Sequence, residues 1–121
     1  SQISKYHLEA GIAHWHTTPT DENKWEYILR LYNQLIIIEY SSVIALNRTF
    51  AYGKVYGKEK AIVEAEKLGL QNNRYYHELL GYLYTDINNQ KAIAHYQKAI
   101  ALSKSANERA TLQKQIEQLV K

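Results

Sequence analysis

HELLGYLYTDINNQKAIAHYQKAIALS, residues 77–103, contains two segments of helical periodicity on either side of a short polar turn. The first segment carries a Leu-Gly pair and then a tyrosine, and the second carries an alanine, a tyrosine four residues on and an alanine three further on. Small residues allow two helices to approach closely, and aromatic rings fill the space that remains where the helices cross. The stretch therefore predicts a helical hairpin. The residues that we expect to form its packing are Leu80, Gly81, Tyr84, Ala92, Tyr96 and Ala99.

This pattern resembles the tetratricopeptide repeat, in which each repeat is a pair of helices with such small and aromatic positions. The turn of this chain is one residue shorter than the turn of the usual repeat. Residues 43–68 match the pattern more loosely, and the two helices before them have the hairpin layout with little of the motif. The matching residues in 43–68 are Leu46, Tyr52, Ala61, Ala65 and Leu68.

The rest of the chain also favours helices, because it contains one proline and five glycines and no sustained alternation of apolar and polar residues. Short connections force neighbouring helices to run antiparallel. We predict an all-α fold of about seven antiparallel helices that form stacked helical hairpins, a tetratricopeptide-like superhelix with a C-terminal capping helix. The predicted helices cover residues 5–16, 24–39, 43–56, 58–68, 75–85 and 91–102, and a seventh begins after Ser103 or Ser105.

Capping residues support these boundaries. Thr20 or Asp21 is a candidate N-cap for the second helix, and Ser41 or Ser42 for the third. Two glycines, at 57 and 69, are placed to end the third and fourth helices.

Length and composition limit the class of protein. The 121 residues suit a single domain, 1–121, and the absence of cysteine excludes disulfides and zinc sites built on cysteine. No run of eighteen apolar residues exists, and residues 1–10 lack the apolar segment of a secretory signal. We expect a cytoplasmic protein with no membrane partner. Because the chain contains no methionine, we also expect it to be the C-terminal fragment of a longer protein.

The charge is only mildly basic, with a formal net charge of +3 and an isoelectric point of about 9.0. The densest basic group is Lys54, Lys58 and Lys60, and Glu59 interrupts it. A dedicated nucleic-acid binder concentrates its cations on one face or in one run. We therefore expect no direct sequence-specific DNA binding by this chain.

Four segments in order resemble a more particular family, the C-terminal tetratricopeptide-like extension of bacterial sigma factors of the extracytoplasmic-function (ECF) type. The combination of the LNR helix with the terminal ER-x-x-L is the most specific part. Two departures are Ser41-Ser42, where the family usually has a proline, and DINNQKA, where it often has Arg-Leu-Gly-Arg ahead of the alanine. The matching segments read EAGIAHWH, WEYILRLY, VIALNRT and AIAHYQKAIALSKSANERATL.

The resemblance implies a function for the parent protein and for this part of it. The parent would bind the RNA polymerase core and a promoter through regions ahead of residue 1. This chain would be a regulatory, protein-interacting piece that contacts the sigma regions or the polymerase core and modulates transcription initiation. The alternative from the repeat alone is a free-standing tetratricopeptide-like adaptor that holds a peptide in its concave groove.

Candidate partner-binding residues lie mainly on the predicted third helix. Asn47 and Arg48 have the chemistry to grip a peptide backbone or carboxylate. The competing interpretation is that both serve the fold, with Asn47 bonded to a helix end and Arg48 to a carboxylate such as that of Glu39 or Glu64; we favour this reading on general grounds. Tyrosine is common at interfaces, which adds a second group of candidates. These are Tyr52, Tyr56 and Tyr82.

Catalytic and metal sites find no support in the sequence. His14 and His16 point about 200° apart on a helix, and His7 lies about 10 Å from His14, so no pair is placed to share a metal ion. The chain contains no glycine-rich phosphate loop, no His-Glu-x-x-His and no nucleophile elbow. We therefore predict no catalytic residue, no metal and no cofactor, and a protein that is not an enzyme.

Overall fold

The computed structural model describes residues 4–17 and 23–120, and within these ranges it contains seven helices and no strand. The predicted all-α fold of helical hairpins is confirmed. Most of the predicted boundaries agree with the structure to within two residues. The helices are α1 Lys5–Thr17, α2 Lys24–Ile38, α3 Ser42–Tyr56, α4 Lys58–Leu68, α5 Arg74–Tyr84, α6 Asn89–Leu102 and α7 Ala106–Leu119.

Side-chain caps define where several helices begin. The hydroxyl of Ser41 accepts a hydrogen bond from the backbone nitrogen of Ile44 at 3.1 Å, so Ser41 rather than Ser42 is the N-cap of α3. Asn73 caps α5, and Ser105 caps α7. The candidate caps of α2, Thr20 and Asp21, lie outside the described residues.

Glycine ends α3 and α4, as the sequence predicts. Gly57 has φ +101° and Gly69 has φ +60°, both in the region that disfavours a side chain. Gly57 is the C-cap of α3 and donates its backbone N–H to the carbonyl of Gly53 at 2.9 Å.

The chain divides into two compact units, Ser1–Gly57 and Lys58–Lys121. The boundary falls between α3 and α4, within the segment 43–68 that the repeat pattern predicts as one hairpin. Each unit is described here by itself. The prediction of one domain over residues 1–121 stays a prediction.

In unit 1 (Ser1–Gly57), α2 packs against both α1 and α3. The apolar faces of the three helices form one core, in which Ile28 is fully buried and Leu8 is 1% exposed. Burial of a large aliphatic side chain contributes about 1.5–3 kcal/mol, so this core accounts for the pairing of the three helices. The buried residues of the cluster are Leu8, Ile12, Ile28, Leu29, Tyr32, Leu35, Ile44 and Ala51.

In unit 2 (Lys58–Lys121), successive helices pack on each other from α4 to α7. The ring of Tyr96 occupies the space above Gly81, since a Cβ atom on residue 81 would lie 2.7 Å from the Tyr96 ring. Every residue that the repeat pattern assigned to packing is buried in this unit. These residues are Leu80, Gly81, Tyr84, Ala92, Tyr96 and Ala99.

The capping helix α7 closes unit 2. Leu112 and Ile116 are buried against Tyr96 and Ala99 of α6, and the rest of the α7 surface is largely polar. A terminal helix with one apolar face and one polar face is the expected end of a repeat array. None of the helices in the described part of the chain is long and apolar enough to cross a membrane.

Candidate functional site

Arg48 lies on α3 and fastens that helix to α2. Its Nε donates a hydrogen bond to Oδ1 of Asn33 at 2.6 Å, and its guanidinium lies 5.9 Å from the ring centre of Tyr52. The Asn33 amide is exposed, whereas Arg48 is half-buried. One edge of the guanidinium therefore joins α3 to α2, and the side chain remains partly exposed at the surface of unit 1.

Asn47 is exposed on α3, and its side chain faces the hydroxyl of Tyr32 on α2. Burial raises the pKa of the Tyr32 hydroxyl, and the hydrogen bond with Asn47 lowers it in part. Both polar residues of the LNR motif thus interact with α2. This agrees with the structural interpretation of the pair, while the partners differ from those that the sequence suggested.

The two carboxylates proposed as partners of Arg48 are engaged elsewhere. Glu39 pairs with Lys5 at 2.6 Å, and Glu64 pairs with Lys67 at 2.9 Å on its own helix. Among the described residues, Arg48 bonds to Asn33, while Glu39 and Glu64 pair with lysines. Asn33 satisfies the guanidinium instead because it lies on the helix that packs beside α3.

A shallow groove lies between α2 and α3 in unit 1. Its volume is about 360 Å³, and its lining combines polar side chains of α2 with Leu29, Val55 and Tyr56. Tyr56 is 53% exposed, and its ring centre lies 4.7 Å from that of Tyr52. A small-molecule pocket is usually larger and more enclosed, so the groove suits a peptide or protein surface. Its lining residues are Glu26, Leu29, Arg30, Asn33, Val55 and Tyr56.

The α2 edge of this groove was missed in the sequence. Glu26, Arg30 and Asn33 follow each other at spacings of four and three, which places them on one face of a helix. Their spacing is the signal in the sequence, and they alternate along α2 with the residues of its apolar face. Arg30 lies with its guanidinium carbon 5.5 Å from the ring centre of Tyr27 and remains exposed.

Tyr82 does not belong to the same unit as the other candidate residues. It lies on α5 in unit 2, with Nζ of Lys58 4.6 Å from its ring centre. The same Nζ donates a hydrogen bond to the backbone carbonyl of Thr85 at 3.4 Å. Of the candidates on α3, Tyr56 lines the groove, while Arg48 adjoins it through Asn33 and Tyr52 through Tyr56. Tyr82 contributes to the packing between α4 and α5.

A second cavity, of about 390 Å³, lies in unit 2 between the N-terminal ends of α5 and α7. Arg74 crosses it, forming ion pairs with Glu108 and, at 3.3 Å, with Glu78. The Arg74 hydrogen bond holds the pKa of Glu108 below its usual value, whereas burial raises that of Glu78. Arg74 thus bridges a carboxylate on its own helix and one on α7, which makes the cavity a structural junction.

Metal chemistry has no obvious location in the described ranges, 4–17 and 23–120. Within them no group of three or more histidine, cysteine, aspartate or glutamate side chains is placed to hold a metal ion. The predictions of no metal, no cofactor and no catalytic residue stay predictions.

Comparison with known proteins matches this chain to part of a longer protein. No family model matches the chain. A curated protein of Rhizobium meliloti (strain 1021), described as an uncharacterized protein, is 34% identical over 119 residues. The match covers 94% of this chain and 28% of that protein. The chain thus spans between a quarter and a third of the length of the relative that it matches.

Proposed function

We propose that this chain is a non-catalytic regulatory domain of an ECF-type sigma factor and modulates transcription initiation in the cytoplasm. It does so by protein contacts with the other sigma regions or with the RNA polymerase core. The resemblance of the LNR helix and the terminal ER-x-x-L to the family supplies this identity. The much greater length of the Rhizobium meliloti relative supports a role as part of a larger protein.

The observation that carries the proposal is the α2–α3 groove. It brings two aliphatic side chains together with polar side chains of both signs and a half-exposed tyrosine. Protein interfaces favour this composition, with tyrosine and arginine as the energetic centre. Arg48 and Asn33 are held in place by each other, so a partner would meet a preorganised surface.

Calorimetric titration of this chain into the separately purified remainder of the parent sigma factor tests the proposal. We expect saturable binding at micromolar concentration or tighter. Tyr56→Ala should weaken binding about tenfold, as loss of an interface tyrosine does. Tyr75→Ala is the matched control, because Tyr75 is 54% exposed but lies on α5.

A second titration uses the RNA polymerase core in place of the sigma remainder. Binding to either partner that is sensitive to Tyr56→Ala and insensitive to Tyr75→Ala supports the proposal. Absence of binding to both partners, or equal effects of the two variants, contradicts it.

The alternative function is a free-standing adaptor for a peptide. It is favoured by the packing of Tyr96 over Gly81, which joins an aromatic position and a small position of the repeat-like sequence pattern. A peptide ligand captured by the chain alone, with no affinity for sigma regions or polymerase, would favour this alternative.

A further inference from the structure

Two imidazole rings meet between α5 and α6 in unit 2. The Nδ1 atoms of His77 and His95 are 3.0 Å apart, and the ring planes are inclined by 27°. Nε2 of His77 lies 2.7 Å from the backbone carbonyl oxygen of Gln71. A carbonyl only accepts, so His77 carries its hydrogen on Nε2 and its Nδ1 is the acceptor. His95 must then donate from its own Nδ1.

This assignment leaves both rings uncharged and both contacting nitrogens satisfied. His77 is 2% exposed, so solvent has almost no access to it, and His95 is half-buried. One added proton places a charge in this buried contact. A second added proton turns both Nδ1 atoms into donors facing each other, and the hydrogen bond is lost.

Other groups surround the pair on three elements. The Tyr84 ring lies parallel to that of His95, with centres 5.7 Å apart, and its hydroxyl donates to Glu66 of α4 at 2.8 Å. The ring of Tyr76 meets that of His77 edge-on at 5.1 Å. The pair is thus part of a continuous contact from α4 through α5 to α6.

Two charged side chains shift the pKa of His95 in opposite directions. Burial is the largest cause that lowers the pKa of His95, followed by the neighbouring His77. Glu66 opposes this shift, and Lys91, whose Nζ lies 5.4 Å from the Tyr84 ring centre, adds to it. The net effect favours an uncharged His95 in the folded chain.

We propose that the contact between His77 and His95 is an acid-sensitive latch, which holds α5 against α6 most firmly while both rings are uncharged. The latch follows from the position of the two rings and is independent of the function proposed above. Burial and the neighbouring His77 lower the pKa of His95 in the folded chain, so below the ordinary histidine pKa of about 6.5 the unfolded chain takes up a proton at His95 that the folded hairpin excludes. Acidification from pH 7.5 to 5 therefore loosens the α5–α6 hairpin.

The test is denaturant unfolding of the full 121-residue chain at pH 7.5 and pH 5.0. As the pH falls from 7.5 to 5.0, an imidazole with the ordinary pKa of about 6.5 gains a proton in the unfolded chain. If the same imidazole stays uncharged in the folded chain, the unfolding equilibrium constant rises about 30-fold. In His95→Gln the amide still donates to His77 but does not titrate. We expect the rise in wild type to exceed that in His95→Gln by about 10- to 30-fold. His7→Gln, at an exposed position of α1, is the control and should behave as wild type.

Nitrogen chemical shifts of the imidazoles in the wild-type chain give a second measurement that needs no variant. We expect ring 95 to remain uncharged, and the pair to show the tautomers stated above, for as long as the α5–α6 amides resist hydrogen exchange. Equal pH dependence in wild type and His95→Gln would overturn the proposal. So would a charged ring 95 within a hairpin whose amides remain fully protected.

Discussion

The ring of Tyr96 occupies the position that a side chain on residue 81 would need. A Cβ atom placed on Gly81 would lie within 2.7–2.8 Å of three carbons of that ring, closer than van der Waals contact permits. Glycine in the middle of α5 costs helix stability, about 1 kcal/mol relative to alanine. Here that cost is offset by the close packing of α6 on α5.

Gly81→Ala should therefore destabilise the chain, although alanine is the better helix former. Overpacking of a buried contact costs about 1–3 kcal/mol, and the rigid ring of Tyr96 cannot move aside without disturbing its neighbours. Urea unfolding of the variant measures the loss.

Gly11→Ala in α1 is the matched control. The atoms nearest to its Cβ would all belong to the flexible side chain of Leu31, with Cδ1 closest at 3.1 Å. We expect this variant to equal or exceed wild type in stability, by up to about 1 kcal/mol. Equal effects of the two substitutions would contradict the packing argument.

Arg48 and Asn33 should be energetically coupled. Their hydrogen bond at 2.6 Å joins α3 to α2 at the surface, where such bonds contribute about 0.5–1.5 kcal/mol. A double-mutant cycle with Arg48→Ala and Asn33→Ala, measured by unfolding, should return a coupling energy in this range. Additive effects would mean that the two side chains do not support each other in solution.

The cap of α5 should contribute measurably to stability. Oδ1 of Asn73 accepts from the backbone nitrogens of Tyr75 at 2.9 Å and Tyr76 at 3.4 Å. Asn73→Ala should cost about 1 kcal/mol in the free energy of unfolding. Asn72→Ala removes the same amide from the exposed neighbouring position and should change the stability far less.

Acid should weaken the junction between α5 and α7. Arg74 lowers the pKa of Glu108 from its ordinary value of 4.5, so the stabilisation is complete above that value and is lost as the pH falls through the lower folded pKa. Burial raises the pKa of Glu78, so this carboxyl group favours the folded state more as the pH falls. Comparison of wild type with Glu108→Gln isolates the first effect.

Thermal unfolding at a series of pH values checks this prediction. Glu108→Gln should melt below wild type at pH 7, and the two curves should converge below pH 4.5. Glu117→Gln, at an exposed position of the same helix, serves as the control. A difference that persists unchanged at pH 3 would contradict the assignment.

The α5–α6 hairpin was predictable because its small and aromatic residues lie within one short stretch. The exact ends of its two helices were harder to predict. Side-chain caps at Asn73 and Asn88 start α5 at Arg74 and α6 at Asn89, one and two residues earlier than periodicity indicated. Asp86 makes the intervening turn with φ +67°, a conformation that aspartate tolerates better than most residues.

Of the contact between Arg48 and Asn33 at the candidate site, the sequence predicted only the first residue. The sequence singled out Arg48 because a guanidinium within an apolar helix is conspicuous. Its partner Asn33 lies fifteen residues earlier on another helix, and no local spacing connects the two. A contact of this kind depends on how α2 and α3 pack, which local sequence patterns do not encode.

The division of the chain at Gly57 has a spectroscopic consequence. Both tryptophans, Trp15 and Trp25, belong to unit 1, and residues 58–121 contain none. Indole fluorescence therefore reports the melting of unit 1, while circular dichroism sees the helices of both units. Superimposed transitions would indicate that the 121 residues melt as one cooperative body, and separated transitions would reveal two.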